Sequence, residues 1–107
     1  MSLTTILIVE DEELTQSVLK NLLSTHGYRV LVAKDGNQMA RYLGQNNIDL
    51  VLMDVNLPGE NGFNLARNII AESNLGLIFI TGRNNDVDKL AGLELGADDY
   101  ITKPFNL

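Results

Sequence analysis

The sequence contains no cysteine among its 107 residues. Neither a disulfide framework nor a thiolate metal site is therefore available to this chain. An absence of cysteine fits a reducing compartment, and we expect a cytoplasmic protein.

Basic residues and long hydrophobic runs are also scarce. The chain has 8 Lys and Arg against 14 Asp and Glu, which gives a formal net charge of −6. Polyphosphate would repel such a surface, so we expect no direct contact with nucleic acid. No apolar run approaches the length of a membrane span, and the N-terminus lacks the basic and apolar regions of a signal peptide. We therefore expect no membrane contact.

The composition is that of one compact domain. Hydrophobic residues make up 45% of the chain and charged residues 21%, which is ordinary for a globular fold. Neither an internal repeat nor an interdomain linker divides the sequence, so we assign residues 1–107 to a single domain.

Apolar runs of strand length alternate along the chain with apolar residues at helical spacing. We predict strands over Ile6–Val9, Tyr28–Val32, Leu50–Met53, Leu77–Ile80 and Tyr100–Thr102. We predict helices over Leu14–Leu23, Met39–Leu43, Phe63–Ile70 and Val87–Leu95, with Asp35-Gly36 as a turn and with Gly27 and Gly96 as helix stops.

Three of these strands are apolar throughout, so both of their faces must be covered. Helical crossovers cover both faces of a parallel sheet, and we therefore predict a doubly wound α/β fold. Right-handed crossovers place the functional crevice of such a fold at the carboxyl ends of its strands.

Polar residues follow the predicted strands at these carboxyl ends. Glu10 and Asp11 follow the first strand, Asp54 the third, Thr81 the fourth and Lys103 the fifth. Three carboxylates, a hydroxyl and an ammonium group are therefore predicted to converge on one edge of the sheet.

Each of these residues has an ordinary structural explanation when it is taken alone. Glu10 and Asp11 suit the N-terminus of a helix, where the helix dipole favours acidic side chains. Asp54 suits the opening of a turn through Asn56–Gly59, because Asn, Pro and Gly favour turns. A threonine followed by glycine is an ordinary strand exit, and a lone lysine is usually a solvated surface charge.

The combination is harder to explain by structure alone. Neighbouring carboxylates repel one another unless a cation neutralises them, and Mg²⁺ is typically held by one or two carboxylates together with phosphate and water. A carboxylate is also a workable nucleophile that forms an aspartyl-phosphate. A nearby hydroxyl and ammonium group would bind the oxygens of a transferring phosphoryl group.

Four motifs resemble one known family. They are Val9–Asp11, Met53–Gly59, Thr81-Gly82 and Gly96–Phe105. In order and type they resemble the receiver (CheY-like) domain of response regulators, and they span nearly the whole chain. The last motif is similar to the winged-helix DNA-binding subfamily (OmpR/PhoB-like). Within that subfamily, regulators of anaerobic respiration are most similar at Asn56–Pro58, Thr81–Arg83 and Pro104–Asn106. The resemblance implies a five-stranded parallel sheet of order 2-1-3-4-5.

The resemblance also implies a role for each matching residue. Asp54 would be the phospho-acceptor, and Mg²⁺ would be held by Glu10, Asp11, Asp54 and the backbone carbonyl of Asn56. Thr81 and Lys103 would bind the phosphoryl group, while Thr81 and Tyr100 would change conformation on activation. The bond between Lys103 and Pro104 would be a cis peptide. Charged dimer contacts of the subfamily match Lys89, Glu94 and Asp99.

The function implied is that of a signalling switch and not of a turnover enzyme. A sensor histidine kinase or phosphotransfer domain would supply the phosphoryl group, and the Asn85–Tyr100 face would then change and support a homodimer. DNA would be bound only through a separate output domain. His26 is expected at the surface without a phosphorelay role.

The family pattern has a further helix beyond Leu107, so we expect a receiver whose final helix and output domain are missing. One sheet face would then lose its cover, and apolar side chains of Leu50–Met53 and Leu77–Ile80 would be partly bare.

Two other classes of protein remain open at this point. A haloacid-dehalogenase-type hydrolase also forms an aspartyl-phosphate, but it usually has a second Asp two residues after the nucleophile, where this chain has Asn56. A flavodoxin-like FMN-binding module shares the topology. Its phosphate loop would be rich in Ser, Thr and Gly, whereas the acidic run Glu10–Glu13 would repel phosphate.

Overall fold

The computed structural model describes residues 3–57, 59–72, 75–81 and 99–102. The elements are β1 (Thr5–Val9), α1 (Glu13–Thr25), β2 (Arg29–Ala33), α2 (Gly36–Gln45), β3 (Leu50–Asp54), β4 (Asn56–Leu57), β5 (Glu60–Asn61), α3 (Gly62–Glu72), β6 (Gly76–Thr81) and β7 (Asp99–Thr102). The predicted helix Val87–Leu95 lies outside the described residues. Within the described ranges, every helix is too short or too polar to cross a membrane.

Five parallel strands form the main sheet in the order β2-β1-β3-β6-β7. This order confirms the predicted doubly wound sheet, in which the winding direction reverses between β1 and β3. The remaining two strands, β4 and β5, were not predicted as strands. They form a two-stranded antiparallel hairpin around Gly59, whose φ of 68° lies in the left-handed region that favours glycine.

Both faces of the central strands are packed, which explains why their sequences are apolar throughout. On one face, Leu7 and Val9 of β1 join a core cluster with side chains of α2 and α3, including Met39 and Ala66. On the other face, alternate residues of the same strand join a cluster that contains Leu19 of α1. A parallel sheet covered on both faces has no polar alternation in its central strands.

Local chemistry sets the ends of the first two helices. Gly27 follows α1 with a φ of 90°, as the predicted helix stop requires, and its N–H donates to the Ser24 carbonyl at 3.0 Å. The predicted turn at Asp35-Gly36 is part of a helix start. Asp35 is the N-cap of α2, and its carboxylate accepts the Gln38 N–H at 2.9 Å.

Asp49 joins the three central strands at the amino edge of the sheet, opposite the predicted site. Its N–H donates to the Thr5 carbonyl at 2.9 Å, and its carboxylate accepts the Thr5 N–H at 2.8 Å. Its carbonyl accepts the N–H of Gly76 at 3.0 Å. One residue therefore links β1, β3 and β6.

Fewer apolar side chains of β3 and β6 are exposed than the sequence predicts. Leu50 and Ile78 are half-buried, and Ile101 of β7 is 38% exposed. Leu52 and Ile80, which lie on the same sheet face as these residues, are buried. The absence of a final helix stays a prediction.

Candidate functional site

The carboxyl ends of β1 and β3 lie side by side and bring three carboxylates together. Val9 is paired with Met53, so Glu10 and Asp54 follow neighbouring strand positions. Carboxylate oxygens of Glu10, Asp11 and Asp54 lie within 4.8 Å of one another. The structure thus brings together the three acidic residues that the sequence placed at this edge.

Two of these three acidic side chains are removed from solvent. Glu10 is 0% exposed and Asp54 is 4% exposed, whereas Asp11 is exposed. Two ionised carboxylates this close repel each other by about 3 to 4 kcal/mol at an effective dielectric constant of roughly 20. The arrangement therefore favours a bound cation. All the side-chain donors are oxygens, which fits a hard divalent ion such as Mg²⁺.

The orientation of Asp54 is fixed by the backbone that follows it. The N–H of Asn56 donates to Asp54 Oδ1 at 3.0 Å, and the N–H of Val55 donates to the Ile80 carbonyl at 3.0 Å. The first bond holds the carboxylate, and the second extends the contact between β3 and β6 past the last strand residue.

The start of α3 packs directly beneath Asp54. Gly62 donates its N–H to the Val55 carbonyl at 2.9 Å, and a Cβ atom at Gly62 would lie 2.3 Å from the Asp54 carbonyl oxygen. The neighbouring Asn61 side chain accepts the N–H of Phe63 at 2.8 Å. Only glycine allows the helix to approach this closely, so Gly62 supports the position of the candidate acceptor.

The other predicted site residues are described to different extents. Asn56 is exposed on β4, two residues after Asp54, and its N–H donates to the Asp54 carboxylate. Thr81 is the last residue of β6 and is paired with Thr102, one position beyond the pair of Asp54 with Ile80. Its backbone therefore lies at the same edge as the carboxylates.

The predicted switch and interface residues lie largely beyond what the structure describes. Tyr100 and Asp99 belong to β7, where their backbones pair with Phe79 and Ile78. The described residues do not include Lys103, Pro104, Lys89, Glu94 or the helix part of the Asn85–Tyr100 face.

Sequence reasoning missed two residues that support the site, Gly62 and Gln16. A glycine before the apolar spacing of α3 is visible in the sequence, but the backbone that it touches is not. Gln16 donates its side-chain amide to the Glu10 carbonyl. No local pattern would have revealed this contact.

The chain is a parallel doubly wound α/β domain, a class that binds its ligands at the carboxyl ends of the strands, and here that edge carries the three clustered carboxylates. The model of the response regulator receiver domain family matches residues 6–107, and the chain belongs to this family.

The chain is similar to several known members. It is 55% identical over 101 residues to the aerobic respiration control protein ArcA of Escherichia coli K12, and the matched segment covers 94% of this chain and 42% of ArcA. It is 44% identical over 102 residues to the TorCAD operon transcriptional regulatory protein TorR of the same strain, covering 95% and 44%. The chain thus spans less than half the length of either relative.

Solved structures show the same fold. The crystal structure of the TorR receiver domain matches with a TM-score of 0.91 and 43% identity, over 96% of this chain and 86% of that one. The Mn²⁺-bound form of response regulator Rcp1 matches with a TM-score of 0.83 and 27% identity, over 97% and 84%. These matches confirm the predicted family, and ArcA and TorR are both named as regulators of respiratory systems.

Proposed function

We propose that Asp54 is the aspartate on which this receiver domain is phosphorylated. Receiver domains of response regulators are in general phosphorylated on an aspartate. One observation carries the assignment to Asp54: it ends β3 at 4% exposure, with carboxylate oxygens of Glu10 and Asp11 within 4.8 Å. Membership of the family implies a histidine kinase or another phosphodonor as the partner.

In the proposed transfer, an Asp54 carboxylate oxygen forms a bond to phosphorus while the bond between phosphorus and the donor's imidazole nitrogen breaks. The nitrogen keeps the electron pair, and the product is an acyl phosphate on Asp54. Burial of Asp54 limits the access of water, which favours slow release of the phosphoryl group. The domain would therefore carry one phosphoryl group per chain and would not turn over a substrate as a hydrolase does.

Glu10, Asp11 and Asp54 are proposed to hold a divalent cation together with the Asn56 carbonyl. When bound, the cation would neutralise the negative charge that carboxylates and phosphoryl oxygens share during transfer. The three clustered carboxylates and the Mn²⁺-bound form of Rcp1 support this assignment.

Thr81 and Lys103 are proposed to bind the phosphoryl oxygens. The position of Thr81 at the end of β6, next to the strand that carries Asp54, supports its part in this proposal.

We assign the output to a change at Thr81 and Tyr100 that alters the Asn85–Tyr100 face. Lys89, Glu94 and Asp99 would then take part in a phosphorylation-dependent homodimer. ArcA is named as a respiration control protein and TorR as a transcriptional regulatory protein. We therefore propose that this receiver controls transcription through an output domain that binds DNA.

The test is phosphorylation by acetyl phosphate in the presence of Mg²⁺, followed by mass spectrometry of the intact chain. The unchanged chain should gain one phosphoryl mass, and Asp54→Asn should gain none. Asp49→Asn is the matched control, because it makes the same charge change just before the other end of β3 and keeps an acceptor for the Thr5 N–H. Full labelling of Asp54→Asn would refute the assignment.

A further inference from the structure

Gln16, on the first turns of α1, contacts the backbone on both sides of Asp11. Its side-chain Nε2 donates to the Glu10 carbonyl at 2.5 Å. Its backbone N–H donates to the Glu12 carbonyl at 3.0 Å. The side-chain bond holds the peptide between Glu10 and Asp11. The backbone bond is the first i to i−4 bond of α1 and holds the Glu12 carbonyl at the helix start.

Other bonds hold the connection between β1 and α1 at its two ends, and at the α1 end Thr15 Oγ1 donates to the Glu12 carboxylate at 2.5 Å. Residues 10–12 belong to neither element, and Asp11 and Glu12 are both exposed. The Glu10 N–H donates to the Ala33 carbonyl at 2.9 Å, which ties the start of the connection to β2. The Gln16 side-chain amide donates to the carbonyl of Glu10 and so connects Glu10 to α1 as well.

We propose that Gln16 is a positioning residue for the cation site, holding the Glu10–Glu12 connection so that the carboxylates of Glu10 and Asp11 face Asp54. This inference rests on the proposed function. Groups that orient ligands without touching the metal typically change metal affinity by about 10- to 100-fold when they are removed. Gln16 is half-buried and uncharged, so its contribution would come from orientation and not from added charge.

The probe is Mn²⁺ alone, with binding followed by electron paramagnetic resonance of the free ion. Gln16→Met keeps the length and helix preference of the side chain but removes the donor. It should weaken Mn²⁺ binding by about tenfold. Ser17→Ala, at the next and exposed position of α1, is the control and should bind Mn²⁺ as the unchanged chain does.

A second variant separates orientation from charge. Gln16→Lys restores a donor, but its positive charge opposes cation binding. Tighter Mn²⁺ binding by the Lys variant than by the Met variant would therefore support the hydrogen bond as the cause. In about 1 M salt, which screens the added charge, equal affinities of these two variants would overturn the inference.

Thermal unfolding without metal separates a positioning role from a purely structural one. We expect the Met variant and the unchanged chain to melt within a few degrees of each other. A lower melting temperature with unchanged Mn²⁺ affinity would overturn the inference and leave the proposed function intact. Failure of the unchanged chain to bind Mn²⁺ would overturn the proposed cation site, and this inference with it.

Discussion

Gly62 lies so close to Asp54 that a Cβ atom at Gly62 would be 2.3 Å from the Asp54 carbonyl oxygen and 2.8 Å from the Cα atom of Val55. Both of these atoms belong to the backbone, so neither can move aside as a flexible side chain would. The start of α3 can therefore approach the end of β3 this closely only because Gly62 has no side chain.

Gly62→Ala should therefore lower the free energy of unfolding by about 2 to 3 kcal/mol, as overpacking in a core does. Denaturation by urea would measure the change. Gly44→Ala is the matched control, because nothing lies within 4 Å of a Cβ atom there and the site is in α2. It should stabilise the chain by up to about 1 kcal/mol, since alanine favours helix. Equal stability of the two variants would contradict the close approach described.

Asp54→Asn should raise the free energy of unfolding in the absence of divalent cations. Removing one of two adjacent buried charges relieves their repulsion, and a gain of about 1 kcal/mol is expected after screening and relaxation. Asp49→Asn removes the same charge from an exposed carboxylate that accepts the Thr5 N–H, so it should bring no gain. In saturating Mg²⁺ the order should reverse, because the unchanged chain gains stability from the bound ion. An Asp54→Asn variant less stable than the unchanged chain without metal would speak against this repulsion.

Asp11→Ala should weaken Mg²⁺ binding by at least about tenfold, because even an indirect partner of a metal ligand contributes that much. Lys103→Ala should leave Mg²⁺ affinity nearly unchanged, since Lys103 is assigned to the phosphoryl group. Titration calorimetry of the two variants would measure both affinities. Equal loss of affinity would show that the assigned division of roles is wrong.

Charge reversal at Lys89 should weaken the phosphorylation-dependent homodimer that we propose. An ion pair that becomes a like-charge contact costs about 3 kcal/mol of association free energy, which is roughly 100-fold in affinity. Sedimentation of the phosphorylated protein would measure the dimer. Charge reversal at Lys20, an exposed residue of α1, is the control. An unchanged dimer affinity for the Lys89 variant would place the interface elsewhere.

The fold was predictable because two of its signals are repeated along the chain. Apolar runs such as Leu50–Met53 have no polar alternation, which requires a sheet covered on both faces, and helical spacings lie between them. The acidic cluster was predictable for a related reason. In a parallel sheet, residues that follow neighbouring strands meet at one edge, so Glu10 and Asp54 had to lie close together.

Other features depend on contacts that no local pattern reports. Gln16 reaches back six residues to Glu10 with a polar side chain that would serve equally well on a solvated helix face. The β4–β5 hairpin has strands of only two residues, too short for any alternation to show. The complete burial of Glu10 was also not expected, since an acidic residue is normally exposed unless it is compensated.

The hydrogen bonds of Asp49 limit which parts of the molecule can move when the site at the opposite edge of the sheet changes. Sliding β1, β3 or β6 along one another would break the links that Asp49 makes to Thr5 and to Gly76. The three strands therefore form a rigid support for the carboxylates at the other edge of the sheet. Any movement that starts at Asp54 must be expressed by the loops that leave the strands, while the strands themselves keep their register.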